Sequence, residues 1–79
     1  MKLTNEQIEN GFNGLVRSLL EETEGCRTIS TTIASGLGEH YEMIRSSSID
    51  PVKREEYFHL YGRTLAEARR NLKKCGLKR

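Results

Sequence analysis

The side chains best suited to chemistry in this chain are few and scattered. His40 and His59 are its only imidazoles, and Cys26 and Cys75 its only thiols, in 79 residues. Neither histidine has a second His or a Cys at the helical spacing that would aim two ligands from one face, so no metal site is expected. Glu39-His40 and the Glu55, His59 pair are ordinary helix-surface neighbours. Ser46, Ser47 and Ser48 lack the strand–turn–helix setting that exposes a nucleophilic serine. The glycines lie scattered within helical patterns, not in a loop that could cradle phosphate. These residues predict a non-enzyme with no cofactor. The cysteines have neither metal nor redox spacing, and the default expectation is two reduced thiols in a cytoplasmic protein.

Charge carries more pattern than catalysis does. The net charge of +2 conceals a split between the two parts of the chain. Residues 1–50 hold four Lys/Arg and eight Asp/Glu, a balance of −4, whereas residues 51–79 hold nine Lys/Arg and three Glu, a balance of +6. Asymmetry of this kind suits a surface for polyanions or for a charged protein partner. The same split also suits internal pairing of a basic helix with an acidic one. Two patches stand out as partner-binding candidates: the acidic group Glu21, Glu22 and Glu24, and the basic group Arg69, Arg70, Lys73 and Lys74.

One stretch resembles the core of a helix-turn-helix. In Ile33-Ala34-Ser35-Gly36-Leu37-Gly38, followed by Ile44, a small residue and a Gly could form the tight turn between two helices. The resemblance covers about twenty residues and implies that the second helix enters a DNA groove. Two positions depart from the pattern: Glu39 replaces the usual apolar residue after the turn, and Ser47 stands at the last core position. DNA candidates on this reading are Arg45 together with the basic tail residues Lys73, Lys74, Lys78 and Arg79. An acidic reading helix opposes phosphate, so this is the second expectation, not the first.

All of these groups need helices to position them. Asp50-Pro51 is a strong helix start, since Asp caps the first turn and Pro suits the first helical position. From there Phe58, Tyr61, Leu65, Ala68, Leu72 and Cys75 recur at spacings of three and four, up to a closing Gly76. That seam predicts a core face. The same alternation would serve pairing between chains, with Phe58, Tyr61, Leu65 and Leu72 as the dimer contacts. Near the N-terminus, Thr4 and Gln7 have the spacing of a capping box, flanked by Leu3 and Ile8 as a hydrophobic staple. Ile8, Phe12, Leu15, Val16, Leu19 and Leu20 then cover one helical face, with Gly25 as the stop. Gly11 and Gly14 weaken this helix and suggest close approach by another. Ile29, Ile33, Leu37, Tyr41 and Ile44 mark a middle helix that Gly36 and Gly38 could divide.

The expected fold is therefore all-α, a single small domain over residues 1–79, with helices near 5–24, 30–46 and 51–75 and a basic tail over 76–79. No apolar run is long enough to span a membrane, and no secretory segment follows Met1. Only 35% of residues are apolar, so the core is small and association is expected. The leading functional expectation is a small protein-binding regulator or inhibitor acting through a charged helical surface. This build is common among accessory proteins of bacteria and their phages. Its partners would be another protein and a second copy of itself; the alternative is a dimeric DNA-binding transcriptional regulator.

Overall fold

The computed structural model describes residues 3–28 and 30–77, which form three helices. α1 spans Asn5–Glu24, α2 Thr31–Ser46 and α3 Pro51–Leu77, and no strand occurs among the described residues. The all-α, three-helix architecture is as the periodicity predicts.

α1 starts where its capping box places it. The Gln7 N–H donates to the Thr4 hydroxyl at 3.1 Å, and the Thr4 N–H donates to the Gln7 side chain at 2.9 Å. Two of the orphan donors at the helix start are thereby satisfied. Ile8, Phe12, Val16, Leu19 and Thr23 are buried along one face. At the other end, the Glu21, Glu22 and Thr23 carbonyls accept from the N–H groups of Gly25, Arg27 and Cys26. The left-handed residue in this closure is Cys26, with φ 62°, and not Gly25, whose φ is −80°. A residue with a Cβ held there costs about 1–2 kcal/mol.

α2 is one continuous helix through Gly36 and Gly38. The two glycines serve packing instead of a turn. A Cβ at Gly36 would lie 3.4 Å from Leu15 of α1, and one at Gly38 would lie 3.8 Å from the Tyr61 hydroxyl of α3. The turn of a helix-turn-helix is therefore not formed, because unbroken backbone hydrogen bonding with Leu37 buried at its centre wins over the local cost of two glycines.

α3 begins at Asp50-Pro51 as expected, with the Val52 N–H donating to the Asp50 carboxylate at 3.0 Å. It continues through Gly76, which is helical and not left-handed. Its buried face differs from the predicted seam. Thr64 and Ala68 are the buried positions, flanked by half-buried Tyr57, Tyr61, Asn71 and Cys75. This face keeps Tyr61, Ala68 and Cys75, with Leu65 packed at its margin, but turns Phe58 and Leu72 toward one edge. Phe58 is 56% exposed, and Leu65 and Leu72 are half-buried. Polar side chains hold the core positions because each finds a local partner. The Thr64 hydroxyl donates to the Leu60 carbonyl at 2.7 Å, and the Asn71 amide donates to the Thr23 hydroxyl at 3.1 Å.

α1 is the spine. It runs antiparallel to α2: Asn5 meets Ser48 at one end, and the Ser30 N–H meets the Glu22 carboxylate at the other. It runs parallel to α3, since Glu9 meets Tyr57 and Thr23 meets Asn71 at the same sequence offset. α2 and α3 touch one another least, so the molecule is flattened, with principal extents of 46 × 25 × 14 Å. The parallel pairing brings the end of α1 beside the end of α3. There the structure overturns the expectation of free thiols: Cys26 and Cys75 form a disulfide across 49 residues of sequence.

Candidate functional site

The parallel register of α1 and α3 gathers most of the predicted charged residues at one end of the bundle. Glu21, Glu22 and Glu24 lie on the last turns of α1, level with Arg69 to Lys73 of α3. The two groups do not neutralise each other through contact ion pairs. Among the described residues, the ion pairs are Arg45–Glu42 at 3.2 Å, Lys53–Glu9 at 3.8 Å and Glu55–His59 at 3.9 Å, the last dependent on His59 protonation. None involves Arg63, Arg69, Arg70, Lys73 or Lys74, and all five are exposed.

These cations have a defensible local role as well. They sit near the negative end of the α3 dipole, where positive charge is favourable. Yet they also crowd one another. Arg69 with Lys73, and Arg70 with Lys74, are like charges four apart, each opposing the helix by a few tenths of a kcal/mol, on the order of 0.2–0.5. The disulfide and the Asn71–Thr23 bond hold this turn of α3 against α1 despite that repulsion. The acidic group is uneven: Glu21 and Glu24 are exposed, whereas Glu22 is half-buried and accepts from the Ser30 N–H at 3.4 Å, anchoring the loop into α2.

The DNA candidates are not brought together. Arg45 pairs with Glu42, and its carbonyl accepts from the Arg54 guanidinium at 3.2 Å, which places it beside the first turns of α3. Lys73 is nineteen residues further along that helix, roughly 28 Å away at about 1.5 Å per residue. Lys78 and Arg79 lie outside the described residues, as does Ile29 of the predicted α2 face. The predicted dimer contacts divide as well. Tyr61 stacks on Tyr41 at 4.6 Å and edges toward the buried Phe12, while Phe58 stands outside the core with its ring 6.3 Å from Tyr41.

Comparison with protein-family models, with curated proteins and with solved structures found no match. Function has to be argued from this surface alone.

Two features escaped the sequence reading. One is the tyrosine at the opposite end: the Tyr57 hydroxyl donates to the Glu9 carboxylate at 2.7 Å, beside Lys53. Burial, and then the Glu9 carboxylate, push the Tyr57 phenol above its ordinary range. The other is the aromatic row Phe12, Tyr61, Tyr41, Phe58, which runs from the core to the surface between α2 and α3. An open depression of about 790 Å³ lies beside it, lined in part by Ala34, Gly38, Tyr41 and Tyr61. Spacing along one helix could not show either, because each joins residues on different helices. Among the described residues no cluster of three His, Cys, Asp or Glu side chains is placed to hold a metal ion, and no helix is long and apolar enough to cross a membrane.

Proposed function

We propose that this chain is a small, non-enzymatic protein-binding regulator or inhibitor that engages its partner with the charged end of the bundle. One observation carries the reading. Arg69, Arg70, Lys73 and Lys74 are all exposed, and none makes a contact ion pair among the described residues. Charges not spent on internal ion pairs are available to an outside surface, where complementary potential speeds encounter and selects the partner. Exposed Glu21 and Glu24 at the same end give that surface both signs, which favours a partner of mixed charge over a uniform polyanion. The disulfide fixes the turn that presents the cations. It also shifts the proposed location from the cytosol toward a compartment oxidising enough to keep the bridge closed.

The test compares charge-reversed variants in capture of a partner: Arg69→Glu with Arg70→Glu on one side, Glu21→Lys with Glu24→Lys on the other. Glu22 is left alone because it anchors the loop. The proposal expects lost capture with an unchanged circular-dichroism spectrum. Duplex DNA is the competing ligand for the same cations. Salt-dependent binding of generic duplex DNA that vanishes in Arg69→Glu/Arg70→Glu would move the reading to nucleic acid.

A further inference from the structure

The edge of α3 at the margin of the core, where Leu65 packs partly against it, is not a random apolar remnant. Phe58, Leu65 and Leu72 recur every seven residues, and Glu55, Gly62 and Arg69 alternate with them at spacings of three and four. Successive members of such a set stay on one side of a helix. The edge lies on the α2 side of α3, with the Phe58 ring 6.3 Å from Tyr41, and α3 touches α2 less than it touches α1. Phe58 is 56% exposed on it, and a Cβ at Gly62 would meet nothing within 4 Å. A second helix therefore has an apolar column to cover and a side-chain-free position against which to approach closely.

The charges along this edge say which helix fits. Its beginning carries Glu55 and its end carries Arg69 and Lys73, all exposed. Such a gradient opposes a parallel copy of itself and complements an antiparallel one. We infer that α3 pairs antiparallel with α3 of a second copy of this chain, across a two-fold axis passing between Gly62 and Leu65. About such an axis a flank meets the same flank of its mate. Glu55 of each copy then faces Lys73 of the other, Phe58 packs near the other copy's Arg69 and Leu72, and the two Leu65 side chains meet near the axis. Among the described residues of one chain, Glu55 has only the exposed, 3.9 Å contact with His59 to give up. Arg70 and Lys74, which point to the far side of α3 on helical geometry, remain open to another partner. A stable interface takes about 600–1,000 Å² from each partner, against a total surface of 5810 Å² here. The inference shares Arg69 and Lys73 with the charged surface proposed above, but its readout is the oligomeric state of the chain alone and does not depend on capture of another protein.

The full-length, disulfide-bonded chain is tested by sedimentation equilibrium, alongside Glu55→Lys and Lys73→Glu. Both positions are exposed, and circular dichroism confirms that the variants fold. The wild-type chain is expected to be dimeric. Each single variant places like charges together twice per dimer and weakens association by about tenfold or more. An equimolar mixture of the two variants restores it, because the mixed dimer regains opposite charges at both contacts. A monomeric wild-type chain at millimolar concentration overturns the inference. So do single variants that associate as well as the wild type, or a mixture that stays as weak as its components.

Discussion

The Asn71 amide donates to the Thr23 hydroxyl at 3.1 Å, and that hydroxyl in turn donates to the Leu19 carbonyl at 3.0 Å. Thr23 is fully buried, so α3 is fastened to the end of α1 by a polar chain where an apolar pair would be the usual choice. Thr23→Val keeps the shape but removes the acceptor. It is expected to cost about 1–3 kcal/mol, because a half-buried amide loses its partner. Adding Asn71→Leu should recover most of that loss, since two matched apolar groups leave nothing unsatisfied. Urea unfolding of the single and double variants checks both statements. Equal losses in the two would show that the bond is incidental.

The Cys26–Cys75 bridge closes a long loop and constrains the unfolded chain strongly. Its removal in Cys26→Ser/Cys75→Ser is expected to cost about 2–4 kcal/mol. Part of this is offset by relief of the left-handed Cys26 once the loop can relax. Denaturation midpoints with and without a thiol reductant provide the measurement. Identical midpoints after verified reduction would show that the bridge contributes no stability.

Gly11 and Gly14 look alike in the sequence but sit in different surroundings. A Cβ at Gly14 would meet nothing within 4 Å, so Gly14→Ala should stabilise by up to about 1 kcal/mol through helix propensity. A Cβ at Gly11 would lie 2.5 Å from His40 Nε2, while His40 Nδ1 donates to the Gly36 carbonyl at 2.8 Å. Gly11→Ala must displace that ring and is expected to give no gain. Thermal unfolding of the two variants separates the cases.

Tyr57 makes alkaline stability testable. Burial first, and Glu9 second, raise its pKa above the ordinary value of 10.0. The folded chain thus holds this proton more tightly than the unfolded chain. The contribution is intact below about pH 10 and declines as pH rises past it. Tyr57→Phe should be less stable than wild type at pH 8, and the gap should narrow by pH 11. A gap that stays constant across that range would contradict the assignment.

How much of this was legible depended on where each determinant lies. The start of α1 is local chemistry within four residues, Thr4 to Gln7, and reads directly from the sequence. The same holds for Asp50-Pro51. The α3 face does so only in part, because apolar spacing selects Phe58 and Leu72 along with Leu65, whereas packing keeps Leu65 and adds Thr64 and Asn71. Thr64 is buried with its hydroxyl bonded to Leu60, and Asn71 is half-buried with its amide bonded to Thr23. Gly36 and Gly38 invite a turn when read alone and become contact points once Leu15 and Tyr61 are beside them. The disulfide follows from α1 and α3 running parallel, a relation that no spacing of two cysteines encodes. The charged groups are clusters in the sequence itself. Their gathering at one end, without mutual ion pairs, needed the fold.

The central claim is that the cations at the end of α3 face a protein partner. Its most direct test is crosslinking capture from an extract of the cells that produce the chain, comparing wild type with Arg69→Glu/Arg70→Glu at equal fold content. The account predicts a discrete crosslinked protein with the wild type that is lost with the variant and absent from a nuclease-sensitive fraction. Equal capture by both proteins would contradict it.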